Sequence, residues 1–600
     1  MDSLDKGTTP LILADRATSE LTFTLYRQGG KVVAENEVAI IRATDLIKQG
    51  KIIAIKGIGG FHLACNAYVE SVVDELRRRK NRPQKPLALM VKSIEVAKKL
   101  CYMSEHEEEL LTSPASPIVL LQRKKEAPLP RTISPGLSTV GIMLPYTPLH
   151  HLLFSTNEVQ CLVMTSANPS RFPIFYKEDQ LEQLETISDY VLTHNRTINF
   201  PIDDSVVRHD GENIVFVRRA RGFAPNQFDT TVNVNDIIAL GGNQKNTLTG
   251  GKHNRITIGP QIGDLENEEM IAFFEDRLRQ FEESLGVNEP YVAVDKHPLY
   301  ASGLIAKKLK RKSIVVQHHH AHHVSCMEDN NLQEPCLGII LDGTGYGEDG
   351  NIWGFEFLYG NATSFERLAH LRYTPLPGGE KAVEEPWRNA VGMLLSYWPE
   401  EGKDLCRKLF PDKVQEINII EKMVAYKLNT PLAGTCGRLF DAVSAILGIC
   451  SIATYEGEAA EKLSDYMYKV GFERAETVYA YDVNMNRDER IELDFSPMIA
   501  EIIQDKFHQQ PLTKIIQKFH TTIVASCVET ILTLVKNRPS LRKTVVLSGG
   551  SFQNMFLCKE IKKDLQREGF NVYTHKHVPC HDGGLSLGQL IIAAHALSNR

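Results

Sequence analysis

Short apolar runs alternate with helically spaced stretches along the whole chain, and the texture changes once. In the first part KIIAI (51–55), IVLL (118–121) and CLVM (161–164) read as buried strands. Residues 69–80 carry helical spacing between them, and such alternation predicts an α/β domain. RGFAPNQFDTTVNVND (221–236) then breaks the pattern with Pro225, several asparagines and no sustained period. We place a linker at 226–236, one domain at 46–225 and a second at 237–600, and leave 1–45 as an N-terminal remnant without assigned function. Beyond the linker IIALGGN, VAVD, SIVVQHH, LGIILDGTG and TVVLSGG are β-rich, and most run straight into glycine or histidine. Long amphipathic helices, such as 269–285 and 515–536, separate them, so the second half is α/β as well. In open α/β sheets chemistry gathers at the carboxyl ends of strands.

The first half concentrates polar chemistry in KGIGGFHL (56–63), RRRKNRPQKPLALM (77–90), TSANPS (165–170) and DDSVVR (203–208). Glycines after a strand let the backbone approach a ligand. Six cations within 77–85 suit a triphosphate, which needs several positive donors at once. Ser166, Asn168 and Ser170 end a strand and add short hydroxyl and amide donors. Singly, each segment reads as a turn, a cap or a solvated helix end. Together they describe a nucleotide site.

In the second half QHHHAHH (317–323) follows a strand and puts five histidines into six residues. His318 and His322 are four apart and share a helix face, which lets two imidazoles bind one metal. Asp342 and Asp582, each where a strand or loop meets glycines, are the carboxylates that can complete the set. Mixed His and Asp ligation with open positions suits a divalent ion such as Fe, Mn or Zn, and the sequence does not choose among them. Gly241–Gly242, Gly343–Thr344–Gly345 and Ser548–Gly549–Gly550 each follow an apolar strand and are candidate phosphate loops. Asp441 opens a helix and can accept from a ribose hydroxyl.

Composition narrows the function classes. The 600 residues are 42% hydrophobic and 24% charged, with a formal charge of -6 and no long basic run, so a large nucleic-acid footprint is not indicated. Eleven cysteines form no C-x-x-C pair, which argues against a disulfide scaffold or a zinc-thiolate site. The start MDSLDKGTTPLILADRAT lacks a signal-peptide core, and no apolar stretch approaches the roughly 18–20 residues of a membrane span. A cytoplasmic protein without a membrane partner is expected.

These motifs carry a family resemblance. KGIGGFHLACNA, RPQKPLALM, PGLSTVGIMLPYTPLHHLL, TSANPS and DDSVVR resemble the YrdC-like domain of the HypF carbamoyltransferases of hydrogenase maturation. LGGNQKNT, IGDLEN, VQHHHAHH, LDGTGYGEDGNIWGFEF, GRLFDA, SGGSFQN and HDGGLSLGQ are similar to the TsaD-like half of that family, a two-lobed ribonuclease-H-like fold of the acetate kinase/actin group. The resemblance implies that the first domain makes carbamoyl-adenylate from ATP, taken with Mg, and carbamate or carbamoyl phosphate. It implies Lys56, His62, Arg82, Lys85 and Arg196 as catalytic, with Lys80, Ser166 and Asn168 around the nucleotide. In the second half it implies His318, His322, Asp342 and Asp582 as metal ligands, with Gly437 and Asn554 beside the nucleotide. The acceptor it implies is the C-terminal cysteine of a HypE-type partner.

The chain departs from the family in places. Full-length relatives begin with an acylphosphatase-like domain and a zinc-finger region that this sequence does not contain, so either a fragment or a missing carbamate-supplying step is expected. Asn199-Phe200-Pro201 stands where an arginine is usual, Glu458 replaces Gln and His581 replaces Asn. These changes bear on the acceptor. A small-molecule hydroxyl, tRNA threonylcarbamoylation and a nucleotide-binding scaffold are the alternative readings.

Overall fold

A computed structural model describes residues 21–27, 29–155, 158–486 and 488–598. The chain divides into two compact units. The first takes the residues up to Asp229 together with Asn243–Leu248 and Arg255–Asn288; the second takes Thr230–Gly242, Thr249–Asn254 and the remainder from Glu289.

The first unit is built on an eleven-stranded mixed sheet. At its centre Ile53–Lys56 pairs antiparallel with Phe61–Asn66, which pairs antiparallel with Cys161–Ser166. Ile53–Lys56 is buried throughout, as expected of a strand covered on both faces. The register sets His62 opposite Ser166, so two polar residues share one end of the sheet. The helix Glu70–Lys80 buries Val72, Val73 and Leu76 and ends in four consecutive cations, Arg77 to Lys80, which favour a helix carboxyl end. Asn81 closes it in the left-handed conformation.

The segment to residue 45, left as a remnant by the sequence, is part of this sheet where it is described; residues 1–20 lie outside the described residues. Phe23–Arg27 pairs antiparallel with Tyr190–His194 and with Lys31–Glu35, and the helix Asn36–Lys48 buries Ala39, Ile40, Ala43, Leu46 and Ile47. The expected linker also has structure. It begins with the strand Asn226–Asp229, which pairs antiparallel with Arg255–Ile258. A chain that leaves a unit and returns to it leaves no compositional mark at the crossing.

In the second unit the strands Ile237–Ala239, Tyr291–Asp295 and Ser313–Val316 run parallel, with Thr249–Lys252 antiparallel at the side. A nine-stranded sheet centres on Cys336–Tyr346, paired antiparallel with Ile352–Gly360 and parallel with Thr544–Ser548. The helix Leu512–Asn537 is long and apolar enough for a membrane span by length and composition, but 61% of its apolar window is buried inside the protein. Its Ile515, Ile516, Phe519, Ile523 and Ile531 belong to the main core.

Every residue of the helix His318–Asp329 is buried. It packs against the helix Leu585–Ser598 so closely that a Cβ on Gly588 would fall 1.9 Å from the Ala321 carbonyl oxygen. Side chains of this helix are therefore held between packed backbones, which suits a site that must keep its geometry.

Candidate functional site

The second unit gathers four ligand-type side chains at one point. Gln317 caps the helix His318–Asp329 by accepting from the His320 N–H, and the 3.6-residue period then puts His318 and His322 on one face. Asp342 arrives on a bulge. The pairing of Cys336–Tyr346 with Ile352–Gly360 shifts register between Leu341 and Gly345, which re-aims the residues between them. Asp582 comes from the short 3-10 turn Asp582–Gly584. The His318 Nε2 lies 3.4 Å from Asp342 and 3.7 Å from Asp582; the His322 Nε2 lies 3.6 and 3.5 Å from the same carboxylates.

These residues fit a single metal ion. Both Nε2 atoms are buried without a hydrogen-bond partner, and all four ligand atoms lie within 4.8 Å of one another. A tetrahedron with bonds of about 2.1 Å has edges of about 3.4 Å, close to the observed separations. The Asp295 carboxylate, 2.7 Å away, accepts from His318 Nδ1 and so leaves Nε2 as the nitrogen turned to the two aspartates. Burial opposes charge on His318, but Asp295 and Asp582 outweigh it and hold its pKa well above the ordinary histidine value, so a metal there would take the place of the Nε2 proton. Burial likewise opposes ionisation of Asp342, yet hydrogen bonds from His318 and His322 keep it well below the usual carboxylate range.

Asp329, at the far end of the same helix, ties down the segment that leads to Asp582. Its carboxylate accepts from the Lys576 and His577 N–H groups at 2.6 and 3.1 Å and from His577 Nδ1 at 2.8 Å.

The glycine turns lie around this quartet. Gly550 donates its N–H to Asp342 (2.9 Å), and Gly549 has φ +100, with Leu341 O only 2.3 Å from where a Cβ would stand. A Cβ on Gly242 would come 3.1 Å from Asp582, and one on Gly437 would come 2.8 Å from the Gly343 Cα. Gly343 itself faces open space, and Thr344 is half-buried beside it. Other candidates have partners within the protein. The Gly241 N–H donates to Gln589, and Asp441, expected to open a helix, lies in the middle of the helix Cys436–Leu447, paired with Arg438 at 2.6 Å. Ser548 hydrogen-bonds His575 at 2.8 Å, while Asn554 caps the helix Met555–Arg567 and donates to Ser464. Glu458 is buried, accepting from Thr454 and pairing with Lys462; His581 accepts from the Gly583 N–H.

In the first unit Lys56 is buried at a strand end, bonded to Glu178 and to the His194 carbonyl (3.1 Å). Burial, then the Lys56 charge, brings His194 down to about 4. His62 Nε2 lies 3.1 Å from Asp204, whose carboxylate also takes Arg221 Nε at 2.8 Å and the Tyr146 hydroxyl at 3.2 Å. His62 Nδ1 is buried without a partner. Lys80 ties the TSANPS turn together through the Ser166 carbonyl and the Asn168 carbonyl and side chain, while Ser166 Oγ donates to Asn168 Oδ1 at 2.8 Å. Burial, reinforced by Arg82, pulls the Lys80 pKa well down. Arg82 donates to the Lys85 carbonyl at 3.3 Å. Lys85 is exposed along its length, yet desolvation of its ammonium and the nearby Arg82 and Arg218 bring it to about 8. Ser170 and Arg196 are exposed. The unit thus offers buried cations and a depressed lysine beside a short hydroxyl-amide turn, which is anion-binding chemistry.

Sequence reasoning missed several partners of these groups, Glu178 and Arg221 in the first unit, Asp295 and Asp329 in the second; Asp204 and Tyr146 stand inside motifs it singled out but had no role there. Asp295 did carry a signal, because it ends the strand VAVD in the position where the other strands end in chemistry.

Comparison with known proteins agrees in both units. Residues 45–220 match the telomere recombination family of Sua5, YciO and YrdC. Residues 232–329 match the HypF Kae1-like domain, and 338–589 match the second subdomain of the carbamoyltransferase Kae1-like domain. The chain is 34% identical over 585 residues to carbamoyltransferase HypF of Synechocystis sp., covering 94% of this chain and 74% of that protein. It is 34% identical to the probable carbamoyltransferase HypF of Methanocaldococcus jannaschii, covering 94% of this chain and 73% of the relative. A crystal structure of full-length HypF in the phosphate- and nucleotide-bound form superposes with a TM-score of 0.90 at 39% identity, covering 96% of this chain and 74% of that one. HypF of T. kodakarensis superposes at 0.88 and 32% identity, covering 97% and 77%.

Proposed function

The chain belongs to the HypF carbamoyltransferase family of hydrogenase maturation, and from that premise we propose that its two units divide one reaction between them. The first joins carbamate to the α-phosphate of ATP, giving carbamoyl-adenylate and pyrophosphate. The second passes the carbamoyl group to the C-terminal cysteine thiol of a HypE-type partner; the new bond is C–S, AMP leaves, and the thiol proton is released.

For the first step the buried Lys56 and Lys80, with Arg82, Lys85 and the exposed Arg196, supply positive charge for the phosphates. Ser166, Asn168 and Ser170 supply short donors. Charge-assisted hydrogen bonds of this kind are about twice as strong as neutral ones. His62, held by Asp204, is set to orient the carbamate.

For the second step His318, His322, Asp342 and Asp582 would hold a divalent metal, which supplies Lewis-acid polarisation of a substrate oxygen. Gly343, Thr344, Gly345, Gly437, Gly549 and Gly550 provide backbone approach for the adenylate, and Asp295 fixes the His318 tautomer. The observation that carries this reading is the pair of buried imidazole nitrogens without partners, facing two carboxylates.

The test supplies ATP with ammonium carbamate and follows AMP and pyrophosphate, then adds a peptide ending in cysteine. Carbamate-dependent AMP formation with S-carbamoylation of the peptide is expected. His318→Ala should keep adenylate formation and lose transfer. Turnover only with bicarbonate and threonine would overturn the reading.

A further inference from the structure

Four of the five clustered histidines have their Nε2 atoms accounted for. His318 and His322 face the carboxylates, His320 Nε2 meets the Asn361 carbonyl at 2.7 Å, and His323 Nε2 meets Cys336 at 3.4 Å. His319 differs: its Nε2 is fully buried, has no hydrogen-bond partner among the described residues, and takes no part in the carboxylate contacts that His318 and His322 make.

The hydrogen bonds around Gln317 fix which nitrogen of His319 carries the proton. Gln317 Oε1 accepts from the His320 N–H at 2.8 Å, so its amide nitrogen faces the other way. There it donates to the Tyr346 carbonyl at 3.2 Å and faces His319 Nδ1 at 3.3 Å. An amide nitrogen only donates, hence Nδ1 accepts and Nε2 bears the hydrogen. The molecule therefore holds an imidazole N–H with no acceptor. A buried donor left unmatched is unfavourable, and a native one calls for an explanation.

Its position supplies one. The His319 ring centroid is 5.2 Å from that of His318 and 6.4 Å from that of His322. A Cβ on Gly345 would stand 3.0 Å from His319 Nε2, so the donor lies against the bulge that carries Asp342. On the same bulge a Cβ at Gly343 would meet nothing within 4 Å.

We propose that His319 donates its Nε2 hydrogen to the carbonyl oxygen of the carbamoyl group, stabilising the negative charge that grows there as the thiol attacks. The hydrogen stays on Nε2, and no proton is transferred. This role rests on the proposed transfer function of the second unit.

The test compares wild type, His319→Phe and His319→Gln for bound metal, carbamate-dependent AMP formation, and kcat and KM of transfer to a cysteine peptide. His319→Phe should load metal and form adenylate normally, with transfer kcat down about 100- to 1000-fold, as for loss of one oxyanion donor, and KM little changed. His319→Gln, whose amide N–H reaches the same place, should recover at least roughly tenfold of that loss. Unchanged kcat in His319→Phe overturns the proposal. So does equal loss in both variants with loss of metal, which marks a structural role. Long-range 1H–15N spectra of histidine-labelled protein, with the His319 signal assigned by its loss in His319→Phe, give a readout free of turnover. They should show Nε2–H, shifting when a non-reactive carbamoyl-adenylate analogue binds. If the wild type transfers nothing, the transfer function fails, and the analogue-induced shift alone decides; its absence overturns the His319 role.

Discussion

Asparagine at position 295 should damage metal binding more than alanine does. Asp295 is 4% exposed and uses both carboxylate oxygens: Oδ1 accepts from the His297 N–H at 2.8 Å, and Oδ2 accepts from His318 Nδ1 at 2.7 Å. In Asp295→Asn only one oxygen remains. The backbone N–H of His297 cannot become an acceptor, so the oxygen must face it and the NH2 must face His318. Nδ1 is then driven to accept, Nε2 takes the hydrogen, and His318 loses the lone pair that a metal needs. Asp295→Ala removes the support without imposing the wrong tautomer. Loss of an outer partner lowers metal affinity 10- to 100-fold, about 1.4–2.7 kcal/mol, which is the expectation for alanine. Asparagine should lie beyond the upper end of that range. Chelator competition gives both dissociation constants. Asparagine binding metal as tightly as alanine, or within about threefold of wild type, would refute the reasoning.

Three further outcomes follow from the geometry. Lys85 stands at about 8 and is charged only below that; a bound phosphate raises its pKa again, so nucleotide binding takes up a proton and weakens as pH rises through 8. Titration calorimetry in buffers of different ionisation heat should show this uptake, and Lys85→Gln should abolish it. Asp204→Ala strands the buried Arg221 and should destabilise the first unit by about 3–5 kcal/mol, read from urea unfolding; an unmoved midpoint counts against the pair. Gly588→Ala puts a methyl 1.9 Å from the Ala321 carbonyl oxygen and must part the two helices. It should cost at least about 1–3 kcal/mol and release metal with it, so an unchanged Tm together with full metal content would contradict the packing.

The candidate metal ligands were legible because their signals are local. An i,i+4 histidine pair and aspartates at glycine-flanked strand ends can be read from spacing alone. The groups that orient them are not local: Asp295 lies 23 residues from His318, and Asp329 acts on a segment nearly 250 residues away. The α/β class was legible from alternating runs. The division of the chain was less so, because residues 255–288 cluster with the first unit after the chain has crossed into the second. Residues 23–45 carry no clear sequence pattern because part of their apolar surface is exposed, as at Val32, Val33 and Ile41. Asn554 and Asp441 show a second kind of non-local information. Their polar ends look available for a nucleotide in sequence, and the fold adds roles that spacing does not show, a helix cap for Asn554 and an ion pair for Asp441.

The grip of Asp329 on the segment before Asp582 has a consequence for how the protein is assembled in time. One buried helix carries two of the candidate ligands and restrains the approach of a third through bonds made by the protein alone. The receptacle can therefore be finished when the polypeptide folds, with the metal as a later arrival. Loading then becomes an exchange with whatever divalent pool surrounds the finished chain, and supply joins ligand chemistry in deciding which ion is carried. Stripping the ion should leave amide exchange along the helix His318–Asp329 nearly as slow as before, in contrast to small domains whose folding waits for zinc.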